Sequence, residues 1–260
     1  MRQNPTPCEG ILEAARACVP ELLSVYLHGS ACLGGFAEGR SDVDLLLFCG
    51  RAMTREERSA FGDALLRLHK KPAPIELSVL RAEDAGAKPP LCQFHFSELW
   101  AARYAAHDPS NPLLEGSFPD PDIPAYYRVI RERGITLFGP PPDELVPEVT
   151  DGEFWASVTE GIGDFSFADY GMFDSNILTL ARILSFARTR RILTKAEGAE
   201  WGMEAYPRFA PLLSAALAAY RDGIPARYDP RELEEYRECM LREILAERVE
   251  RRGRPGDSGR

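Results

Sequence analysis

The sequence predicts an α+β protein, with an N-terminal α/β domain built on a small mixed sheet and a C-terminal helical bundle domain. Three observations carry that prediction. Short apolar runs bounded by Gly or Pro recur early: LLSVYLHG (22–29), VDLLLFCG (43–50) and IELSVL (75–80). Between the second and third, TREERSAFGDALLRLHKK (54–71) has helical spacing at Phe61, Leu65 and Leu68, with Thr54 placed to cap it. In the second half nearly every segment reads helical: 153–162, 173–189, 195–205, 209–222 and 230–249.

The connections follow from composition. A loop rich in Pro, Asp and Asn (108–124) leads to a short helix over Tyr126–Arg133, and GPPPDELVP (139–147) reads as a linker because successive prolines cannot sustain a helix. The expected domains are 1–145 and 146–251, with a charged, Gly-rich tail at 252–260 expected to be disordered.

A chain of 260 residues can bury one large core or two modest ones. Hydrophobic content of 45% and charged content of 27% are ordinary for a globular protein. The net charge of -9 argues against a nucleic-acid binder and suits a small or cationic partner. The start MRQNPTPCEG has no apolar run of a secretion signal, and no stretch approaches a membrane span. The six cysteines form no C-x-x-C pair and read as reduced thiols, so a cytoplasmic protein is expected.

The chemistry concentrates in YLHGSACLGGFAEGRSDVDLLLF (26–48). Asp42 and Asp44 are two apart, so in a strand both project from one face. Adjacent carboxylates at the lip of an apolar strand repel one another unless a cation lies between them, and magnesium suits one or two carboxylates with substrate phosphates. Gly29 allows close backbone approach to a ligand, and Ser30 is placed to cap the following helix, whose free N–H groups favour a phosphate. Glycines 34, 35 and 39 make the intervening turn. Glu76 points to the opposite face from Ile75, Leu77 and Val79. It either faces water on an edge strand, joins Asp42 and Asp44 around metals, or takes a proton from an attacking hydroxyl.

In the helical half, Arg182 lies among Ile177, Leu178, Leu180, Ala181, Ile183 and Leu184 and shares its stripe with Ser175 and Thr179. A guanidinium there needs an anion, from a structural acid or a ligand. Thr194 to Glu197 is a capping box, which puts Lys195 at the first helical position, opposing the helix dipole by about 0.3–1 kcal/mol.

H-G-S, then S-D-V-D on an apolar strand, then a strand-borne acid, resembles the nucleotidyltransferase superfamily that includes DNA polymerase β. LTLARI (178–183), TK (194–195) and AEWGMEAYP (199–207) are similar to the aminoglycoside (3'')(9)-adenylyltransferases, which modify streptomycin and spectinomycin. FSELW (96–100) resembles their F-G-E-W stretch with one extra residue before Trp100. The resemblance implies a magnesium-dependent transfer of AMP from ATP to a hydroxyl of an aminoglycoside-type antibiotic, with two magnesium ions and pyrophosphate released. It places magnesium on Asp42 and Asp44, the general base or a further metal ligand on Glu76, and the ATP phosphates on Gly29, Ser30, Ser41, Arg182 and Lys195.

For a cationic acceptor the candidate residues are Glu98, Trp100, Asp169 and Asp174, with Asp164 beside them. Direct alignment sets Ala168 and Met172 at the branch's acidic substrate positions and leaves Asp169 and Asp174 out of register. The alternative is a related transferase with a non-drug small-molecule or protein acceptor, which the same carboxylates would serve. No membrane or nucleic-acid partner is expected.

Overall fold

The computed structural model describes residues 7–36, 41–168 and 173–253. The chain divides into two compact units, residues 1–149 and 150–260. Residues 254–260, most of the expected tail, lie outside the described residues, as do Gly39, Asp169 and Met172.

The first unit is a six-stranded mixed sheet in the order β5-β4-β3-β2-β1-β6. Its strands are β1 (Leu22–Leu27), β2 (Val43–Cys49), β3 (Ile75–Arg81), β4 (Leu91–Phe96), β5 (Phe118–Pro119) and β6 (Ile135–Phe138). Among the described residues only β2 and β3 run parallel; the other neighbours are antiparallel. A parallel pair needs a crossover, and helix α3 (Arg55–Leu68) supplies it. Thr54 caps α3 in a capping box with Glu57, as its sequence predicts. The strands β4, β5 and β6 are not anticipated from the sequence. In β4 the polar side chains of Gln93 and His95 interrupt an apolar run, and β5 and β6 are too short for a periodic signal.

Alternation along the strands gives the sheet two faces. One face carries Val43, Leu45, Leu47, Ile75, Leu77 and Val79 and packs with Ile11 and Ala15 of α1 (Pro7–Cys18) and with Phe61 and Leu65 of α3. The opposite face carries Tyr26, Leu46, Phe48 and Leu80, and Ile123, Tyr127 and Ile130 pack against it from α5 (Ile123–Arg133). The remaining helices of this unit are α2 (Gly29–Leu33), α4 (Glu98–Ala105) and α6 (Pro142–Leu145). The last is a correction to the linker expected over 139–147. Pro142 occupies a first-turn position, where a missing N–H costs nothing, and a single helical turn forms.

The second unit is helical: α7 (Asp151–Val158), α8 (Phe173–Thr189), α9 (Lys195–Ala205), α10 (Ala210–Asp222) and α11 (Pro230–Gly253). Helix α8 is apolar on most of its circumference and runs through the middle, with Ile177, Leu178, Leu180, Ala181 and Leu184 fully buried. Helix α9 approaches it closely because Gly198 and Gly202 have no side chains. A Cβ at Gly198 would lie 2.8 Å from the Arg182 Cα, and one at Gly202 3.1 Å from the Ala181 Cβ. Tyr236 of α11 is buried and donates its hydroxyl to the Ile177 carbonyl at 2.9 Å. No helix among the described residues is long and apolar enough to cross a membrane.

Candidate active site

The parallel pairing of β2 and β3 sets Asp44 directly beside Glu76 in register. Both therefore project from the face that α5 covers, together with Asp42 two residues earlier. Strand β3 is interior, between β2 and β4, so Glu76 is half-buried and does not face open water from an edge.

The turn before α2 comes to the same place. The His28 N–H donates to the Asp44 carbonyl at 2.9 Å. Gly29 has φ +63°, and a Cβ there would collide with the Asp44 carboxylate. Only glycine allows that approach. Ser30 differs from its expected role: His28, in an extended conformation, precedes the helix, and Ser30 lies inside its single turn. The positive φ of Gly29 lets the chain enter the helix one residue sooner. Ser41 is buried just ahead of Asp42.

Electrostatics mark this corner of the sheet. Burial raises the Glu76 carboxyl above its ordinary value; the Tyr126 hydroxyl opposes that, and the charges of Asp42, Asp122 and Asp120 add to it. Asp120 is itself pushed up to about 6 by burial and by Asp122. Tyr126 donates to Glu76 Oε1 at 2.9 Å. Its ring lies against the His28 imidazole, 4.7 Å between centroids and tilted by 31°. Burial holds His28 neutral, its pKa lowered to about 3.

Asp120, Asp122 and Tyr126, which act on Glu76 by charge or hydrogen bond, are not among the candidates the sequence offers. The signal was present in Asp-Pro-Asp immediately ahead of a helix whose Ile123, Tyr127 and Ile130 recur at helical spacing.

The corner can accept a cation. Carboxylates of Asp42 and Asp44 share one face, and Glu76 feels the repulsion of Asp42, a deficit that positive charge would relieve. No group of three or more His, Cys, Asp and Glu side chains among the described residues is arranged to hold a metal ion alone. A two-carboxylate site completed by phosphate oxygens, the usual magnesium arrangement, fits these residues better than an all-protein cage.

In the helical unit Arg182 and Lys195 are brought to adjoining turns. Gly198, one turn along α9 from Lys195, abuts the backbone of Arg182. The capping box of Thr194 and Glu197 forms, which fixes Lys195 at the start of α9. Its Nζ lies 5.1 Å from the centre of the Tyr220 ring.

The acceptor candidates fall in both units, Glu98 and Trp100 on α4 and Asp174 on α8. Glu98 accepts from His69 Nε2 at 2.7 Å and from Lys70 Nζ at 2.6 Å. Trp100 packs against the core of the first unit, with the Arg103 guanidinium 5.2 Å from its ring centre. Asp174, in the first turn of α8, accepts a short hydrogen bond from the Tyr228 hydroxyl.

The fold of the chain is that of a solved antibiotic-modifying enzyme. A spectinomycin adenyltransferase, AAD(9) from Enterococcus faecialis, solved with ATP and spectinomycin, superposes with a TM-score of 0.80 over 92% of this chain and 98% of that one, at 16% identity. Residues 144–243 match the family model described as aminoglycoside adenylyltransferase, C-terminal domain. An aminoglycoside (3'')(9) adenylyltransferase of Klebsiella pneumoniae is 29% identical over 246 residues, covering 90% of this chain and 91% of that protein. A spectinomycin 9-adenylyltransferase of Staphylococcus aureus is 26% identical over 209 residues, covering 77% and 78%. The resemblance drawn from the motifs is borne out: across most of its length the chain is similar to the aminoglycoside (3'')(9)-adenylyltransferase branch.

Proposed function

We propose that this protein is an adenylyltransferase that moves AMP from ATP to a hydroxyl of an aminoglycoside-type acceptor, of the streptomycin or spectinomycin kind, with magnesium. The observation that carries the reading is the registered pair Asp44 and Glu76, with Gly29 closed against the Asp44 carboxylate. A base, a charged pair and a close backbone approach then meet on one corner of a sheet.

The acceptor's hydroxyl oxygen attacks the α-phosphorus, and the bond from that phosphorus to the bridging oxygen of the β-phosphate breaks. AMP is joined to the acceptor, pyrophosphate leaves, and the hydroxyl proton passes to Glu76. A half-buried carboxylate whose affinity for protons is raised suits that step. Asp42 and Asp44 would hold magnesium, which when bound supplies charge to offset that of the phosphates. Gly29, Ser30 and Ser41 bind the phosphates, and Arg182 and Lys195 contribute cationic charge to the triphosphate. We assign the protein to the cytoplasm, where ATP is available.

A second reading keeps the chemistry and changes the acceptor to a non-drug small molecule or a protein. It is favoured by the engagement of Glu98, Trp100 and Asp174 with other groups of the protein. The test is incubation with ATP, magnesium and either streptomycin or spectinomycin, measuring pyrophosphate release and the mass of the acceptor. An acceptor heavier by one AMP is expected. Pyrophosphate release with no adenylylated drug would favour the second reading, and no release with either drug would overturn the first.

A further inference from the structure

We propose that Tyr126 is a positioning residue for the transfer, its hydroxyl holding one oxygen of Glu76 so that the other is presented to the acceptor's proton. The inference rests on the reading of Glu76 as the base and goes beyond it, to the device that aims it.

A glutamate has three side-chain torsions, and a free one spreads its oxygens over many positions. Glu76 is constrained at both ends. Its backbone is fixed in an interior strand paired with Asp44 on one side. Its Oε1 accepts from the Tyr126 hydroxyl at 2.9 Å. With Oε1 engaged, Oε2 is the oxygen left to take a proton. Aligning a base in this way matters because proton transfer needs an approach of roughly 2.6–3.2 Å between heavy atoms.

Tyr126 is constrained in turn. It lies on α5, whose Ile123, Tyr127 and Ile130 are sunk in the core beneath it. Its ring packs on His28 at 4.7 Å. His28 immediately precedes Gly29 and is tied through its N–H to the Asp44 carbonyl. One side chain therefore bridges the base and the glycine turn assigned to the nucleotide. The phenol ring serves the packing and only its hydroxyl touches Glu76, so the two contributions can be separated by substitution.

The experiment is steady-state adenylylation of spectinomycin or streptomycin by the full chain and by Tyr126→Phe, with ATP affinity read from the ATP-induced shift in Tm. Tyr126→Phe keeps the ring and removes the donor. The expected result is a fall in kcat of about tenfold or more, with KM for ATP and the ATP-induced shift unchanged within about twofold. A kcat within twofold of wild type, or a loss of ATP affinity matching the loss of rate, overturns the assignment.

A second arm uses Glu76→Asp, which retracts the carboxylate from Tyr126 while keeping its charge. In that background Tyr126→Phe should cost nothing further, because the contact is already broken. Multiplicative losses overturn the proposal even if the single variant is slow. A wild-type chain that adenylylates no acceptor sinks the transfer reading and this inference together. An active wild type with an equally active Tyr126→Phe sinks this inference alone.

Discussion

In the sheet unit, acids on neighbouring strands are spaced by backbone register; in the helical unit, two cations on separate helices are spaced by a glycine contact. Asp44 and Glu76 face each other because β2 and β3 pair in parallel, one residue opposite one residue. Arg182 and Lys195 come to adjoining turns because Gly198 lets α9 lie against α8. The first arrangement is costly: burial, and after it the charges of nearby aspartates, push Glu76 and Asp120 upward. The second is mechanically delicate, since an added methyl group would force the helices apart. Charge is thus the weak point of one unit and shape that of the other.

The largest expected effect falls on the crowded acids. Asp44→Asn removes one charge without changing shape, so transfer should fall by about a thousandfold. Stability should change by much less than activity, because the side chain keeps its size and shape. Thermal unfolding beside a pyrophosphate-release assay checks both, and normal turnover would falsify the assignment of Asp44 to the metal. Glu76→Gln should lose about a hundredfold or more in rate while still binding ATP with magnesium, seen as an undiminished ATP-induced rise in Tm. Were ATP-magnesium binding lost instead, Glu76 would be a metal ligand first and a base second.

A smaller effect is expected where shape governs. Gly198→Ala places a Cβ 2.8 Å from the Arg182 Cα, against backbone that cannot swing aside. Overpacking of this kind costs about 1–3 kcal/mol, and Tm should drop by several degrees. ATP affinity should weaken as Arg182 shifts, with kcat changed less than KM. A Gly198→Ala chain with wild-type Tm would mean that α8 and α9 do not approach as closely as described.

The same contrast explains what could be read before the structure. A two-residue alternation fixes the face of Asp42 and Asp44 from sequence alone, and Thr194 with Glu197 announces the start of α9 and the place of Lys195. These are local rules with local outcomes. The pairing of Asp44 with Glu76 is different, because parallel register depends on how α3 packs and no neighbouring residue encodes it. Tyr126 and Asp120 escaped notice for a similar reason, reaching Glu76 from a helix and loop more than forty positions downstream. Ser30 looked like a cap because Gly-Ser commonly precedes a helix, and the positive φ of Gly29 moved the boundary by one. On the acceptor side, Glu98 and Asp174 are candidates for a cationic acceptor by sequence, and their partners His69, Lys70 and Tyr228 lie at separations no motif describes.

An effect of comparable size, seen only as a change with pH, concerns His95, part-buried in β4 and bonded to Ser78 Oγ at 3.0 Å. Burial lowers its pKa to about 4, from an ordinary 6.5. The unfolded chain therefore binds a proton between pH 6.5 and 4 that the folded chain refuses. The stability this gives is fully present above pH 6.5 and is lost as pH falls toward 4. Asp120 works the other way over the same range, since its raised pKa makes the folded state the better proton acceptor below about 6. Total stability mixes the two, so the informative quantity is a difference. His95→Gln keeps a partner for Ser78 and cannot titrate. Relative to that variant, wild type should lose about 2–3 kcal/mol between pH 7 and pH 4, measured by urea unfolding at each pH. A difference that stays constant with pH would mean that His95 takes up its proton without unfolding, and that this part of the sheet admits water to β4.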